Sequence, residues 1–299
     1  GWWYLFLSYG WLGTTGGYQI RIFRSKHLLG PYVDQNGNPA ICAGEIPDNL
    51  TKDTGVRLTS SVLWSGGPDR IGSVEVSQGH NSVLHRRSDG RLFLTYHTRF
   101  IEREGEDYET HIRELLPTED GWLVAAPYEY QGQVATPPTH PTGRPDTCSS
   151  DDAPGPWTAK AAHPSWLSGD YELVRHDPHT FYNGERDADG EFVGINRPET
   201  ITLQPDGRVT SGGAVSFFDT PEVNLPRSTD GPAVRGTWRM LGDCGPAGVR
   251  CCDTDMAITL DGVTYTGVFA ELPRETDGRM TLTFSAIGGN RTIWAAHLA

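Results

Sequence analysis

Short segments of alternating apolar and polar residues, separated by turn signals, fill the chain from Gly169 onward and constrain its fold most strongly. Alternation with a period of two is typical of half-buried β-strands, and dipeptides such as Asp261-Gly262 and Asp277-Gly278 favour hairpin turns. No segment anywhere predicts a helix longer than two turns. Strands in this number predict a small closed antiparallel barrel or a sandwich. The predicted strands are Tyr171–Arg175, Thr200–Leu203, Gly236–Met240, Met256–Leu260, Thr264–Ala270, Met280–Ala286 and Thr292–His297.

Two stretches of the first half share one order of features: an aromatic-rich strand, a loop, an alternating strand and a glycine–aromatic corner. Repeated units of short strands predict radially arranged sheets, as in a β-propeller, although tandem hairpins in a sandwich give a similar pattern. Residues 36–76 are interpreted as an elaborated loop between the two units. The stretches comprise Gly1–Phe6, Tyr18–Ile22 and Gly30–Tyr32, and then Gly90–Leu94, His111–Leu115 and Gly121–Trp122.

The composition changes between residues 131 and 166, which are rich in Pro, Thr, Ser and Asp and show no apolar period. Such a segment is typical of a linker or an extended crossing between domains. We therefore divide the chain into a first domain over residues 1–132, a linker over 133–166 and a second domain over 167–299.

The chain carries a formal net charge of -13 over 299 residues. This acidic balance argues against a nucleic-acid partner, because phosphates attract basic surfaces. No apolar run approaches the roughly 20 residues of a transmembrane helix, so no membrane partner is expected. Neither a charged segment nor a cleavage site precedes the apolar run Trp2–Leu7, so the start is interpreted as the inside of a domain and not as a signal peptide.

Three of the five cysteines lie close together in a Gly- and Pro-containing segment near residue 250. A disulfide from Cys244 to Cys251 or Cys252 is favoured over a zinc site, because no second Cys-x-x-Cys pair or His pair has ligand spacing. Free thiols stay open as an alternative. A disulfide would fit an oxidising compartment.

Six runs in the first half and three in the second occur in one order: Trp3–Gly10, Gly16–Lys26, Gly30–Asp34, Gly79–Val83, Tyr96–Phe100, Asp120–Tyr128, Gly236–Trp238, Tyr265–Phe269 and Ile293–Trp294. Together these runs resemble glycoside hydrolase family 43, and within it the two-domain endo-α-1,5-L-arabinanases. The resemblance implies an all-β chain with the last two blades of a five-bladed β-propeller over 1–132 and an accessory antiparallel β-barrel over 167–299. It also implies a secreted, monomeric parent enzyme that cleaves internal linkages of arabinan or arabino-oligosaccharides with inversion.

Family members use three carboxylates, a base Asp, a pKa-modulating Asp and an acid Glu, and no residue here matches any of them. We therefore assign no catalytic residue, expect these groups upstream of Gly1, and predict that this chain alone is inactive. Inversion requires an acid and a base about 6.5–9.5 Å apart. The carboxylates that could replace them are interpreted as solvated groups of charge-rich loops: Asp34, Glu45, Glu102, Glu104, Glu106 and Asp107.

His80 is the candidate metal ligand. It follows Gly79 at the predicted start of an apolar strand, where its ring can point into a central channel. A histidine hydrogen-bonded in the core is the alternative from the residues alone. The resemblance implies a metal, usually calcium, at the propeller centre. Calcium prefers six to eight oxygen ligands, so water would supply most of them.

A sugar cleft needs aromatic platforms beside small polar groups. Trp11, in the glycine-rich loop after Ser8, suits a platform better than Trp2 or Trp3, which are interpreted as core residues of a strand; packing of Trp11 under its own loop is the alternative. The loop is not a phosphate loop, because no Lys-Ser/Thr and no helix follow it. The residues expected to contact substrate are Ser8, Trp11, Tyr18 and Asn81.

Several polar residues near these candidates receive structural interpretations. Ser82 is expected to satisfy a turn, which is also the alternative for Asn81. His97 is expected to be solvated at the end of the strand Leu92–Tyr96, with a position facing the cleft as the alternative. Arg99 is expected to form a surface ion pair, with a carboxylate near the site as the alternative partner. Core packing is favoured over a sugar-binding face for the aromatic residues of the second domain, although barrels of this kind can hold ligands. These residues are Trp238, Tyr265, Phe269, Phe284 and Trp294.

Two other functions stay open at this stage. One is a related family 43 enzyme that acts on xylosides or fructans. The other is a non-catalytic carbohydrate-binding module whose ligand lies in the barrel.

Overall fold

A computed structural model describes residues 1–40, 54–64, 73–101, 108–138, 165–177, 180, 182–188, 190, 192–211, 234–241 and 254–298. Within these ranges the chain forms β-strands and one 3-10 turn at Ser165–Leu167, so the prediction of no long helix is confirmed for them. The strands are β1 Trp3–Tyr9, β2 Gln19–Ser25, β3 Val56–Thr59, β4 Val62–Trp64, β5 Ser73–Arg86, β6 Arg91–Phe100, β7 Glu109–Pro117, β8 Leu123–Ala125, β9 Gly169–Arg175, β10 Glu199–Leu203, β11 Arg208–Ser211, β12 Val234–Met240, β13 Asp255–Leu260, β14 Val263–Pro273, β15 Met280–Gly288 and β16 Arg291–His297.

Strands β9 to β16 form an antiparallel barrel. Each strand pairs with its neighbour in sequence, and β16 returns to β9 with Ile293 opposite Arg175 and His297 opposite Tyr171. Closure of the sheet selects the barrel over the sandwich. All seven predicted strands are present, and the eighth, β11, was missed because it has only four residues and one large apolar side chain, Val209.

Aromatic side chains fill the barrel interior. The ring of Phe269 lies 5.5 Å from that of Phe284 and 6.2 Å from that of Trp238, and Tyr265 is fully buried with them. Core packing of these residues is therefore confirmed. Trp294 is buried as well, but on the opposite face of β16, because side chains alternate along a strand.

The first half of the chain forms two sheets. Strands β1, β2 and β3 belong to one of them, which continues from β3 into β16 of the barrel, and β4 to β8 make the other in simple sequence order. The interpretation of residues 36–76 as a loop was wrong, because β3, β4 and the start of β5 lie there. Both faces of β3 are buried, including Arg57 and Thr59, so it lacks the alternation that would have revealed it.

One hydrophobic cluster joins the two halves. It contains Leu94 and Trp122 from the first half and Val268 and Trp294 from the outer face of the barrel. Strand β3 adds a parallel bridge to β16. At the start of the predicted linker, Thr136 pairs with Glu271, while residues 139–164 lie outside the described part of the chain.

Two interpretations near the N-terminus were wrong. Trp3 is 50% exposed, so it is not a core residue. Trp2 is partly exposed, with Arg24 and Lys26 stacked 4.0 and 3.5 Å from the centre of its ring.

Asp34 is a buried structural residue, with only 3% of its surface exposed. The expectation from sequence that it is a solvated group was wrong. Its carboxylate accepts hydrogen bonds from the backbone of its own turn, from the backbone N–H of Gly55 and from the side-chain amide of Asn290 in the barrel. A carboxylate satisfied in this way needs no contact with water.

Several expectations fall on residues outside the described ranges. They concern the five cysteines and five of the carboxylates, and their structural interpretation stays a prediction. These residues are Cys42, Cys148, Cys244, Cys251, Cys252, Glu45, Glu102, Glu104, Glu106 and Asp107.

Candidate functional site

The long strand β5 is interrupted by a double bulge. Its pairing with β6 shifts register between Val76 and Gly79 and again between Gly79 and Ser82. Ser77 and His80 have φ angles of 59° and 53°, in the left-handed region that L-residues rarely adopt. His80 therefore lies inside a strand and not at its start, and the bulge exposes it.

Residues from the other sheet hold this bulge. The Ser8 hydroxyl oxygen on β1 accepts hydrogen bonds from the backbone N–H of His80 at 3.0 Å and from the side-chain amide of Asn81 at 2.8 Å. The ring of Tyr18 occupies the space that a Cβ atom would need at Gly79. Four of the residues chosen from the sequence, Ser8, Tyr18, His80 and Asn81, are thus in one place.

An aromatic cluster lies beside His80. The His97 ring is 5.9 Å from that of His80, 5.6 Å from that of Tyr18 and 5.1 Å from that of Tyr108. Burial, then the nearby His80 and Arg99, lower the pKa of His97, which favours its neutral form. Because β6 continues to Phe100, His97 is half-buried within the strand, and the expectation of a solvated strand end was wrong.

Arg99 is not at the surface, where the sequence analysis placed it. Its side chain is buried, and its guanidinium lies 3.9 Å from the centre of the Tyr108 ring and donates a hydrogen bond to the Tyr108 hydroxyl. It therefore braces one of the rings around His97.

Trp11 projects from the loop between β1 and β2, with 61% of its surface exposed. The loop closes on itself through a hydrogen bond from the Trp11 backbone N–H to the Gly16 carbonyl oxygen at 3.2 Å. The Ser77 hydroxyl binds the carbonyl oxygens of Leu12 and Gly13 at 2.9 and 3.0 Å. The loop that carries Trp11 is therefore tied to the same bulge as His80.

The chain is similar to proteins of known function. Residues 156–295 match the family GH43_C, described as a C-terminal lipocalin-like domain. Over 98% of its length the chain is 29% identical to extracellular endo-alpha-(1->5)-L-arabinanase 2 of Bacillus subtilis (strain 168), and over 44% it is 38% identical to an extracellular endo-alpha-(1->5)-L-arabinanase of Thermotoga petrophila. The chain is homologous to extracellular endo-arabinanases, and its second half matches the GH43_C domain.

Solved structures agree with this homology. The glycoside hydrolase family 43 protein YxiA of Bacillus licheniformis superposes with a TM-score of 0.67 at 27% identity over 99% of the chain. An endo-1,5-alpha-L-arabinanase of Thermotoga petrophila gives 0.67 at 24% identity, which supports the fold. The chain spans about half of these proteins, 52% and 53%, and 49% of the Bacillus subtilis relative.

The surroundings of His80 in this arabinanase homologue limit what metal it can bind. In the described ranges, no group of three or more His, Cys, Asp or Glu side chains could hold a metal ion. The polar side chains of Ser8 and Asn81, which are hydrogen-bonded at the same bulge, are neutral. Since calcium takes six to eight oxygen ligands, the residues fit only an ion that is coordinated mainly by water and bound through one imidazole.

Buried carboxylates outside the bulge have structural partners. Glu75 accepts hydrogen bonds from Gln78 at 2.8 Å and from Arg113 at 3.4 Å. Glu114 pairs with Arg91 and accepts the backbone N–H of Ala135 at 2.8 Å. Because of these contacts, Glu75 and Glu114 are interpreted as structural residues of the core.

A cleft of about 520 Å³ between the second sheet and the barrel was not foreseen from sequence. Asp255 lines it, and burial together with Glu119 and Asp120 raises the pKa of Asp255 to about 6. The residues come from separate strands, so only the fold brings them together.

Three contributors to the bulge were missed from sequence: Ser77, the half-buried His97 and Tyr108. Ser77 and Gly79 follow the alternating run Val74–Val76, and a glycine inside a strand pattern is a signal for a bulge. The rings of His97 and Tyr108 carry no comparable local signal.

In the described part of the chain, no helix is long and apolar enough to span a membrane.

Proposed function

We propose that this chain is part of an extracellular enzyme that hydrolyses internal α-1,5 linkages of arabinan. The convergence of Ser8, Tyr18, His80 and Asn81 at one strained bulge carries the proposal. Strain in non-glycine residues persists where the surroundings over-determine it, and it is concentrated at functional sites. The names of the relatives supply the substrate, arabinan.

The chain contributes one wall of a sugar cleft. The exposed indole of Trp11 offers an apolar face to the CH groups of a sugar ring, and Tyr18 offers a second aromatic ring. Ser8 and Asn81 provide polar groups that orient the hydroxyls. This set suits a neutral oligosaccharide.

His80 holds a calcium ion through one imidazole nitrogen in this proposal. When bound, the ion supplies positive charge near the reaction centre. The protein's own part is to fix the imidazole at the bulge and to keep the neighbouring His97 neutral by burial.

The two carboxylates that act as acid and base are contributed by residues outside this chain. They stand about 6.5–9.5 Å apart on opposite sides of the anomeric carbon and give inversion. The two sheets of the first half are the last two blades of a five-bladed propeller in a monomeric parent. The greater length of the relatives leaves room for the other blades.

Hydrolysis assays on the parent enzyme test this proposal. We expect release of reducing sugar from debranched arabinan, and little from xylan or levan. Release mainly from xylan or levan would contradict the proposed substrate. The chain of residues 1–299 alone should be inactive, and arabinan hydrolysis by it would show that the chemistry lies within it.

Trp11→Ala in the parent should raise KM for arabinan about tenfold while changing kcat little, since it removes a binding platform. Trp3→Ala is the matched control, because Trp3 is also an exposed tryptophan but lies on β1 away from the loop. Equal effects of the two substitutions would argue against a sugar platform at Trp11.

A further inference from the structure

The hydrogen bonds of Ser8 and Asn81 restrict what these side chains can offer a ligand. A serine hydroxyl has one donor hydrogen and two acceptor lone pairs. The Ser8 oxygen already accepts two hydrogen bonds, from the His80 backbone and from the Asn81 amide. It can therefore meet a ligand only as a donor.

Asn81 supplies the complementary group. Its amide group donates to Ser8, so its carbonyl oxygen remains as the acceptor beside that serine. A sugar hydroxyl can donate one hydrogen bond and accept another at the same time. One donor and one acceptor side by side match such a hydroxyl.

The same contacts control the backbone at His80. The left-handed conformation of a non-glycine residue costs on the order of 1–3 kcal/mol and needs compensation from its surroundings. The bond from His80 N–H to Ser8 provides part of it from another sheet, and the Tyr18 ring blocks the space at Gly79.

We infer that Ser8 is a positioning residue for His80 and Asn81, and that the Ser8–Asn81 pair presents one donor and one acceptor to a single sugar hydroxyl. The sugar ligand in this inference rests on the proposed function. The positioning role of Ser8 does not depend on any ligand. Ser8 thus acts on the metal histidine through the backbone and not by contact with the ion.

Amide hydrogen exchange, followed by NMR on the chain of residues 1–299, tests the positioning role. Ser8→Ala should increase the exchange rate of the His80 amide at least tenfold relative to the β6 amides. Ser8→Thr, which keeps the hydroxyl, should restore protection, and Ser82→Ala on the same strand should leave it unchanged. Unchanged protection in Ser8→Ala overturns the role, as does equal loss at β6.

Ser8→Cys covers the case in which the alanine variant fails to fold. Sulfur keeps the size of the side chain but accepts hydrogen bonds weakly. Faster exchange confined to His80 supports the role, and wild-type protection in this variant contradicts it.

Calorimetric titration with linear α-1,5-arabinotriose tests the ligand half. Asn81→Asp keeps an acceptor but turns the Ser8 hydrogen toward the new carboxylate, so affinity should fall about tenfold while His80 protection stays high. Unchanged affinity contradicts the donor–acceptor pair. Failure of the wild-type chain to bind the triose would overturn the sugar role and weaken the proposed function, whereas the exchange result decides the positioning role separately.

Discussion

His176 is a single buried histidine whose protonation state links the stability of the chain to pH. It is fully buried where the two halves meet, with its Nδ1 atom 3.1 Å from the Ser60 hydroxyl and its ring 4.2 Å from that of Trp294. Burial, then Arg113 and Arg57, lower its pKa well below the usual value. The folded protein therefore holds His176 neutral.

Acid should destabilise the chain through this histidine. The unfolded chain binds a proton at His176 below about pH 6.5, whereas the folded chain does not, so stability falls as the pH drops through that range. For one proton the slope approaches about 1.4 kcal/mol per pH unit. Urea unfolding at pH 7 and pH 5 should show that His176→Gln reduces this dependence.

The exposed His85 provides the comparison. His85→Gln should leave the pH dependence of unfolding close to that of the wild type, because the side chain of His85 is exposed to solvent in the folded chain. If both substitutions reduced the slope equally, the effect would not come from burial of His176.

Among the strands, β5 has a bulge that could be predicted only in part from the sequence. Its glycine and serine signal an interruption, but the direction of the bulge depends on Ser8 and Tyr18, which arrive from another sheet. The barrel behaves differently, since alternation and hairpin turns are local and seven of its strands could be predicted. Strands β3 and β4 were not predicted, because they are short and buried on both faces.

Gly79→Ala should disturb the bulge of β5. The added methyl group overlaps the Tyr18 ring, so either the ring or the strand must move. Overpacking of this kind typically costs about 1–3 kcal/mol. Urea unfolding measures this loss, and NMR should show shifted signals for Tyr18 and His80.

Gly13→Ala lies in the neighbouring loop and meets only ordinary contacts, 3.8 Å from atoms of Trp11. It should change stability little and leave the His80 signals in place. Identical shifts in the two variants would mean that the loop, and not the strand, governs the bulge.

The whole molecule depends on a buried charge at the junction of its two halves. Arg113 on β7 is fully buried; its guanidinium lies 4.5 Å from the centre of the Trp294 ring and 3.7 Å from a carboxylate oxygen of Glu275 in the barrel. It also donates to the Tyr96 hydroxyl at 2.7 Å. The sequence hides this arrangement, because the partners come from both halves.

Arg113→Met should destabilise the chain by about 3–5 kcal/mol, because it leaves buried carboxylates without their cation. Arg208→Met removes an exposed ion pair with Asp206 and should cost much less, because water screens that pair. Burial already raises the pKa of Glu275, while Arg113 lowers it, so loss of the arginine raises that pKa further. The folded variant then binds a proton more readily than its unfolded chain.

The variant should therefore recover part of its stability as the pH falls from 7 to 5, after subtraction of the wild-type change over the same range. Adding Glu275→Gln to Arg113→Met should remove much of that recovery, because the group that takes up the proton is gone. Urea unfolding curves at both pH values measure these differences. A loss no larger than that of Arg208→Met, or no relative recovery in acid, would show that Arg113 does not hold the two halves together through charge.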